Sequence, residues 1–122
     1  MKRDMDIVLM LLKHIESESE SSPLRTTRIE LPGCTADAVD YHANLLLDAE
    51  LIAASPMDLD ARPHALRIER LTWEGHEFLD AASNDTVWRA AKKRIAEFGS
   101  SVPFSVLQSL LTQLVKNAVI GD

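Results

Sequence analysis

The residues of this 122-residue chain best suited to chemistry are four histidines (His14, His42, His64 and His76), one cysteine (Cys34), and the carboxylates around them. No HExxH pair, CxxC pair or Cys/His cluster joins them, so the spacing holds no zinc-type ligand set. His76 with Glu77 and Asp80 would make an acid–base group at a helix start, though charge placed favourably at the positive end of the helix dipole is the plainer reading. A helix beginning at Thr35 would activate Cys34 through the same dipole, yet no His or acid stands beside it in sequence to act as base. His14 and His42 fall on apolar helical stripes, where an imidazole is more often a hydrogen-bonded core group than a ligand. Gly33, Gly75, Gly99 and Gly121 build no phosphate-cradling loop. The expectation is a non-enzymatic protein with no cofactor and no metal.

Three further groups of residues could bind a partner. A helix expected from Thr35 to Glu50 turns Asp37, Asp40, Tyr41, Asn44 and Asp48 outward, with Leu45 beside them, and contains no Lys or Arg. Carboxylates repel phosphates, and Arg, the common base reader, is missing, so this helix suits a protein partner better than a DNA groove. Candidate nucleic-acid contacts lie elsewhere, at Arg62, His64 and Arg67 on a hairpin and at Arg89, Lys92, Lys93 and Arg94 on a later helix. Asp58 and Asp60 oppose the hairpin set. The last helix, 104–120, carries Leu107, Leu110, Leu111, Leu114, Ala118 and Val119 on one broad stripe with Lys116 as its only charge. Such a stripe serves as core, as the seam of a homodimer, or as both.

The elements that must position these groups follow from periodicity and breakers. Ile7, Met10, Leu11, His14 and Ile15, in a stripe widened by Leu9 and Leu12, mark a first helix begun at Asp4 or Asp6, which the polar run 16–23 ends. Residues 26–31 read as a short strand closed by Pro32 and Gly33, after which Thr35 caps the second helix, with Ala38, Val39, His42, Ala43, Leu46 and Ala49 inward. Leu51 opens a strand, 56–63 is a hairpin tip, and 65–71 is the return strand, with Leu66 and Ile68 on one face. Thr72 caps a helix over 73–82. Asn84 or Asp85 caps another, which turns Val87, Trp88, Ala91, Ile95 and Phe98 inward and stops at Gly99. This order predicts an α+β fold: a winged helix-turn-helix-like domain over 1–82, with an antiparallel sheet of at most three strands, extended by C-terminal helices over 84–122. The whole is expected as a single domain.

Composition limits the alternatives. Hydrophobic residues make up 46% and charged residues 26%, ordinary for a globular chain. A net charge of −6 disfavours sequence-independent nucleic-acid binding. One cysteine excludes an intramolecular disulfide, and no secretory leader or long apolar run appears, so a cytoplasmic, non-membrane protein is expected.

The segments 1–7, Tyr41-His42, Leu51-Ile52, Arg70-Leu71-Thr72-Trp73-Glu74-Gly75-His76-Glu77-Phe78-Leu79-Asp80 and Asp85-Thr86-Val87-Trp88 resemble one family over nearly the full chain. It is the bacterial and prophage group called domain of unknown function twenty-five-thirteen. The resemblance implies a winged-helix-like fold, a bacterial or phage origin and no assigned catalytic residues. The chain departs from that family at Glu50, where Gly is expected before Leu-Ile; Glu in a left-handed helix stop costs about 1 kcal/mol. The leading functional expectation is an interaction protein that binds a protein partner, such as a host or defence protein, through a nucleic-acid-mimicking acidic surface and associates with itself. The alternative is a DNA-binding transcriptional regulator using the wing and the basic helix.

Overall fold

A computed structural model describes residues 1–21, 29–57, 60–99 and 102–121, the side chains of 19–21 excepted. The fold is α+β, with five α-helices and one two-stranded antiparallel sheet among the described residues. Two compact units form, residues 1–76 and 77–122.

In the first unit, helix α1 (Met5–Ser21) starts where Asp4 caps it: its carboxylate accepts the Asp6 N–H and its carbonyl the Val8 N–H. Leu9, Leu11, Leu12 and Ile15 of the expected stripe are buried, and Val8 joins them, so the core face is centred a little to one side of the expected one. Met10 is exposed and His14 only half-buried. The helix also runs through the Glu/Ser stretch instead of ending there, because no breaker precedes Pro23. Of the strand expected over 26–31, residues 26–28 lie outside the described residues and 29–31 are not a strand. Ile29 and Leu31 are nevertheless buried. A turn follows, with the Cys34 N–H donating to the Leu31 carbonyl and Gly33 at φ 75°, the conformation that Pro-Gly favours.

Helix α2 (Ala36–Asp48) is capped by the Thr35 hydroxyl, which accepts the Ala38 N–H. It ends in a Schellman motif: the Glu50 N–H donates to the Leu47 carbonyl and the Leu51 N–H to the Leu46 carbonyl, with Glu50 itself left-handed at φ 61°. Strand β1 (Ile52–Pro56) then pairs with β2 (Leu66–Leu71). The register slips between Ala53 and Ala54, leaving Glu69 as the extra residue of a bulge. That slip lets Leu66, Ile68 and Leu71 all face the core, which strict alternation forbids. Helix α1 packs on α2 and β2, and α2 on both strands.

Helix α3 (Trp73–Ala82) begins at a junction that locks the unit. The Thr72 hydroxyl accepts the Gly75 N–H and donates to the Glu50 carbonyl, while the Thr72 N–H donates to the Leu51 carbonyl. A Cβ on Gly75 would overlap that Leu51 carbonyl oxygen and lie 3.3 Å from the Leu71 Cβ. Glycine is therefore required here for close approach and not for its backbone angles.

The second unit contains α4 (Asp85–Phe98), capped by the Asn84 side chain and stopped by left-handed Gly99, and α5 (Phe104–Lys116), which passes into a π-helical turn, Asn117–Gly121. Val87, Trp88, Ala91, Leu107 and Leu111 form its core with Phe78 and Leu79, and the Phe78 and Phe104 rings lie 5.1 Å apart. Phe98, expected inward, is 69% exposed, and Ile95 is only half-buried. The α4–α5 core ends before the last turn of α4. No described helix is long and apolar enough to cross a membrane.

Candidate functional site

The face of α2 that was expected to be uniformly outward and acidic is divided. Asp37 and Asp48 are exposed, and Tyr41, Asn44 and Leu45 half-buried, but Asp40 is buried. The Asp40 carboxylate takes both donors of one guanidinium: Arg62 Nε donates to Oδ2 at 3.1 Å, and Nη2 donates to Oδ1. A bidentate, charge-assisted pair of this kind is among the stronger side-chain contacts. It raises the Arg62 pKa above the ordinary arginine value, first through the hydrogen bond to Asp40 and then through the charges of Asp40 and Asp37; burial opposes this in part.

The pair joins one residue from each of the two surfaces proposed from sequence. Asp40 was a candidate for the protein-partner face and Arg62 for phosphate contact; each now occupies the other. The other hairpin candidates, His64 and Arg67, are exposed. Asp60 is exposed too, and Asp58 lies outside the described residues. Asn44 fastens the hairpin tip to α2, its amide donating to the Asp40 carbonyl at 2.8 Å and the His64 carbonyl at 2.9 Å.

Between α2 and the hairpin tip lies a cleft of about 530 Å³, lined by Met1, Asp37, Asp40, Tyr41, Asn44, Arg62, Pro63 and His64. Its size falls within the range of ligand pockets. Met1 and Pro63 carry no chemical motif, and an ion pair across 22 residues has no local periodicity, so neither was legible in the sequence.

His42 is 1% exposed; Asp4 donates its N–H to Nε2 at 2.9 Å, so Nδ1 carries the proton and donates to the Ala38 carbonyl at 2.7 Å. It ties the start of α1 to α2 as a satisfied core group. His76 faces Glu16 at 3.6 Å, on a different element from the Glu77 and Asp80 considered with it. The Cys34 thiol has only a weak contact with the Pro32 carbonyl at 3.7 Å. Among the described residues no three His, Cys, Asp or Glu gather to hold a metal ion.

On the second unit, Arg89, Lys92, Lys93 and Arg94 are all exposed along α4. Of the candidate dimer seam, Leu107 and Leu111 are buried within one chain. Leu110 and Leu114 are half-buried, and Ala118 is exposed.

These features define a small α+β protein with an antiparallel hairpin and a cleft on its second helix. The chain belongs to the family described as Hypothetical protein (DUF2513), whose model matches residues 2–101. It is 34% identical to an uncharacterized protein of Haemophilus influenzae over 122 residues, 94% of this chain and 99% of that one. No solved structure matches it.

Proposed function

We propose that this is a winged-helix-like interaction module of bacterial or prophage origin that acts without catalysis in the cytoplasm, holding a protein partner against α2 and the adjoining cleft. Helix, helix, antiparallel hairpin and capped helix in that order support the winged-helix reading. The observation that carries the functional reading is the α2 surface. The helix that would enter a DNA groove has no Lys or Arg, and Arg62, which lies against it, is already matched by Asp40. Charge distribution agrees: residues 1–76 hold fourteen carboxylates against eight cationic side chains, whereas 77–122 hold five of each. Such a surface attracts basic proteins and could occupy a nucleic-acid-binding face on one of them. Self-association through α5 belongs to the same reading. It falls to Leu110, Leu114 and Ala118, because Leu107 and Leu111 are used internally.

Capture from bacterial lysate on immobilised protein tests the reading. A partner retained by the wild type and lost with Tyr41→Ala is expected; recovery of the bait alone from every lysate overturns it. Regulation of transcription through DNA contacts by His64, Arg67, Arg89, Lys92 and Lys93 is the second reading, favoured only by the exposure of the α4 cations. Salt-sensitive retention on duplex DNA, lost when Arg67 is changed to Ala, would establish it instead.

A further inference from the structure

Within the protein-binding reading, on which this step rests, we infer that the cleft receives an arginine side chain of the partner, its guanidinium stacked on Tyr41 and paired with Asp37. Three of the cleft's other polar side chains are already engaged. Asp40 and Arg62 satisfy each other, and the Asn44 amide is spent on two carbonyls. Asp37 is exposed, and its charge is felt at Arg62, so this trio of groups carries one carboxylate in excess. The partial positive charge at the start of α2, about half a unit, offsets only part of that excess.

Tyr41 stands four residues after Asp37, one turn along the same face of α2, so ring and carboxylate are neighbours. The Tyr41 ring meets His42 edge-on at 5.2 Å, and the cleft otherwise has apolar material in Met1 and Pro63. A cation over an aromatic face gains from the ring quadrupole, and a planar guanidinium can pair with a carboxylate at the same time. The Asp40–Arg62 pair next door is the intramolecular version of the carboxylate half of that arrangement. The net acidity of residues 1–76 would draw a basic segment towards it.

The test titrates isotope-labelled full-length protein with Nα-acetyl-arginine methylamide and follows backbone amide shifts. Its neutral isostere, the citrulline compound, and the lysine compound serve as comparisons. Saturable shifts centred on Asp37, Tyr41, Asn44 and His64 are expected, with affinity about tenfold weaker for citrulline, for Asp37→Asn and for Tyr41→Leu. Tyr41→Phe should retain binding, which separates loss of the ring from loss of fold. Equal affinity for citrulline, equal affinity for lysine, shifts centred elsewhere, or no saturation would overturn the assignment. Capture of a partner that ignores Asp37→Asn would overturn it too, while leaving the protein-binding reading intact. Specific arginine binding with no partner recovered from any lysate would do the reverse.

Discussion

Glu50 occupies a backbone conformation that side chains enter at a cost, and it does so at the negative end of α2, where a second carboxylate, Asp48, and no basic residue accompany it. Left-handed strain and unfavourable helix-dipole charge add. Glu50→Gly is expected to raise stability by about 0.5–1 kcal/mol, the relief of strain being partly offset by glycine's looser unfolded chain. Urea denaturation reads it. Gly75 gives the opposite case: its backbone is ordinary, but a methyl group would meet the Leu51 carbonyl. Gly75→Ala is therefore expected to cost about 1–3 kcal/mol. Sequence made both positions visible as types, an absent glycine and a present one; it did not distinguish the angle requirement of the first from the space requirement of the second. Asp40 was less legible still. Helical spacing placed it outward, and only the fold brings Arg62, 22 residues away, over it. Because the Arg62 value is raised, the stabilisation it provides is complete below the unfolded value and fades only as pH climbs through the still higher folded one. The difference in urea midpoint between wild type and Arg62→Met should accordingly stay flat from neutral pH to about pH 10.

At the scale of elements, caps were the most readable features. Thr35, Thr72, Asn84 and Gly99 each do what their type and position suggest, since a cap is decided within four residues of chain. Packing faces were readable only in their centres. Phe98 continues the inward stripe of α4 yet projects into solvent, because periodicity records a direction and not whether a neighbour reaches that far. The bulge at Glu69 was invisible for a similar reason: it serves the placement of Leu71 relative to Ile68, a cross-strand matter. Thr72 does more than an ordinary cap, joining α3 to the end of α2 as well. Thr72→Ala should cost about 2 kcal/mol against about 1 kcal/mol for Thr35→Ala, while Thr72→Ser should recover most of the loss. For α5, Leu111 is 1% exposed in a single chain, so Leu111→Asp is expected to unfold residues 77–122 and says nothing about assembly. Leu110 and Leu114 are the informative positions. If they form the seam, as proposed, changing both to Gln should give a folded monomer where the wild type sediments as a dimer.

The whole molecule distributes charge unevenly, and the two readings of its function separate on that fact. The entire net charge of −6 resides in residues 1–76, where α2 and the hairpin lie, and residues 77–122 are balanced despite the exposed cations of α4. Affinity for duplex DNA at low salt scales with the number of phosphates neutralised. Arg62 is withdrawn from that number by Asp40, and Asp85 and Glu97 share α4 with its four cations. On heparin or random duplex DNA the protein is therefore expected to elute at or below about 100 mM salt, with no change for Arg67→Ala. Reversing the sign of the α4 face, with Lys92 and Lys93 both changed to Glu, should alter elution little, because that face was never the dominant field. Conversely, Asp37→Lys and Asp48→Lys together would place two cations on α2. If the acidic surface alone keeps the fold from DNA, this double variant should acquire salt-sensitive retention while losing the captured protein partner. Retention by the wild type under the same conditions would mean that the balanced unit, and not the acidic one, sets what the molecule binds.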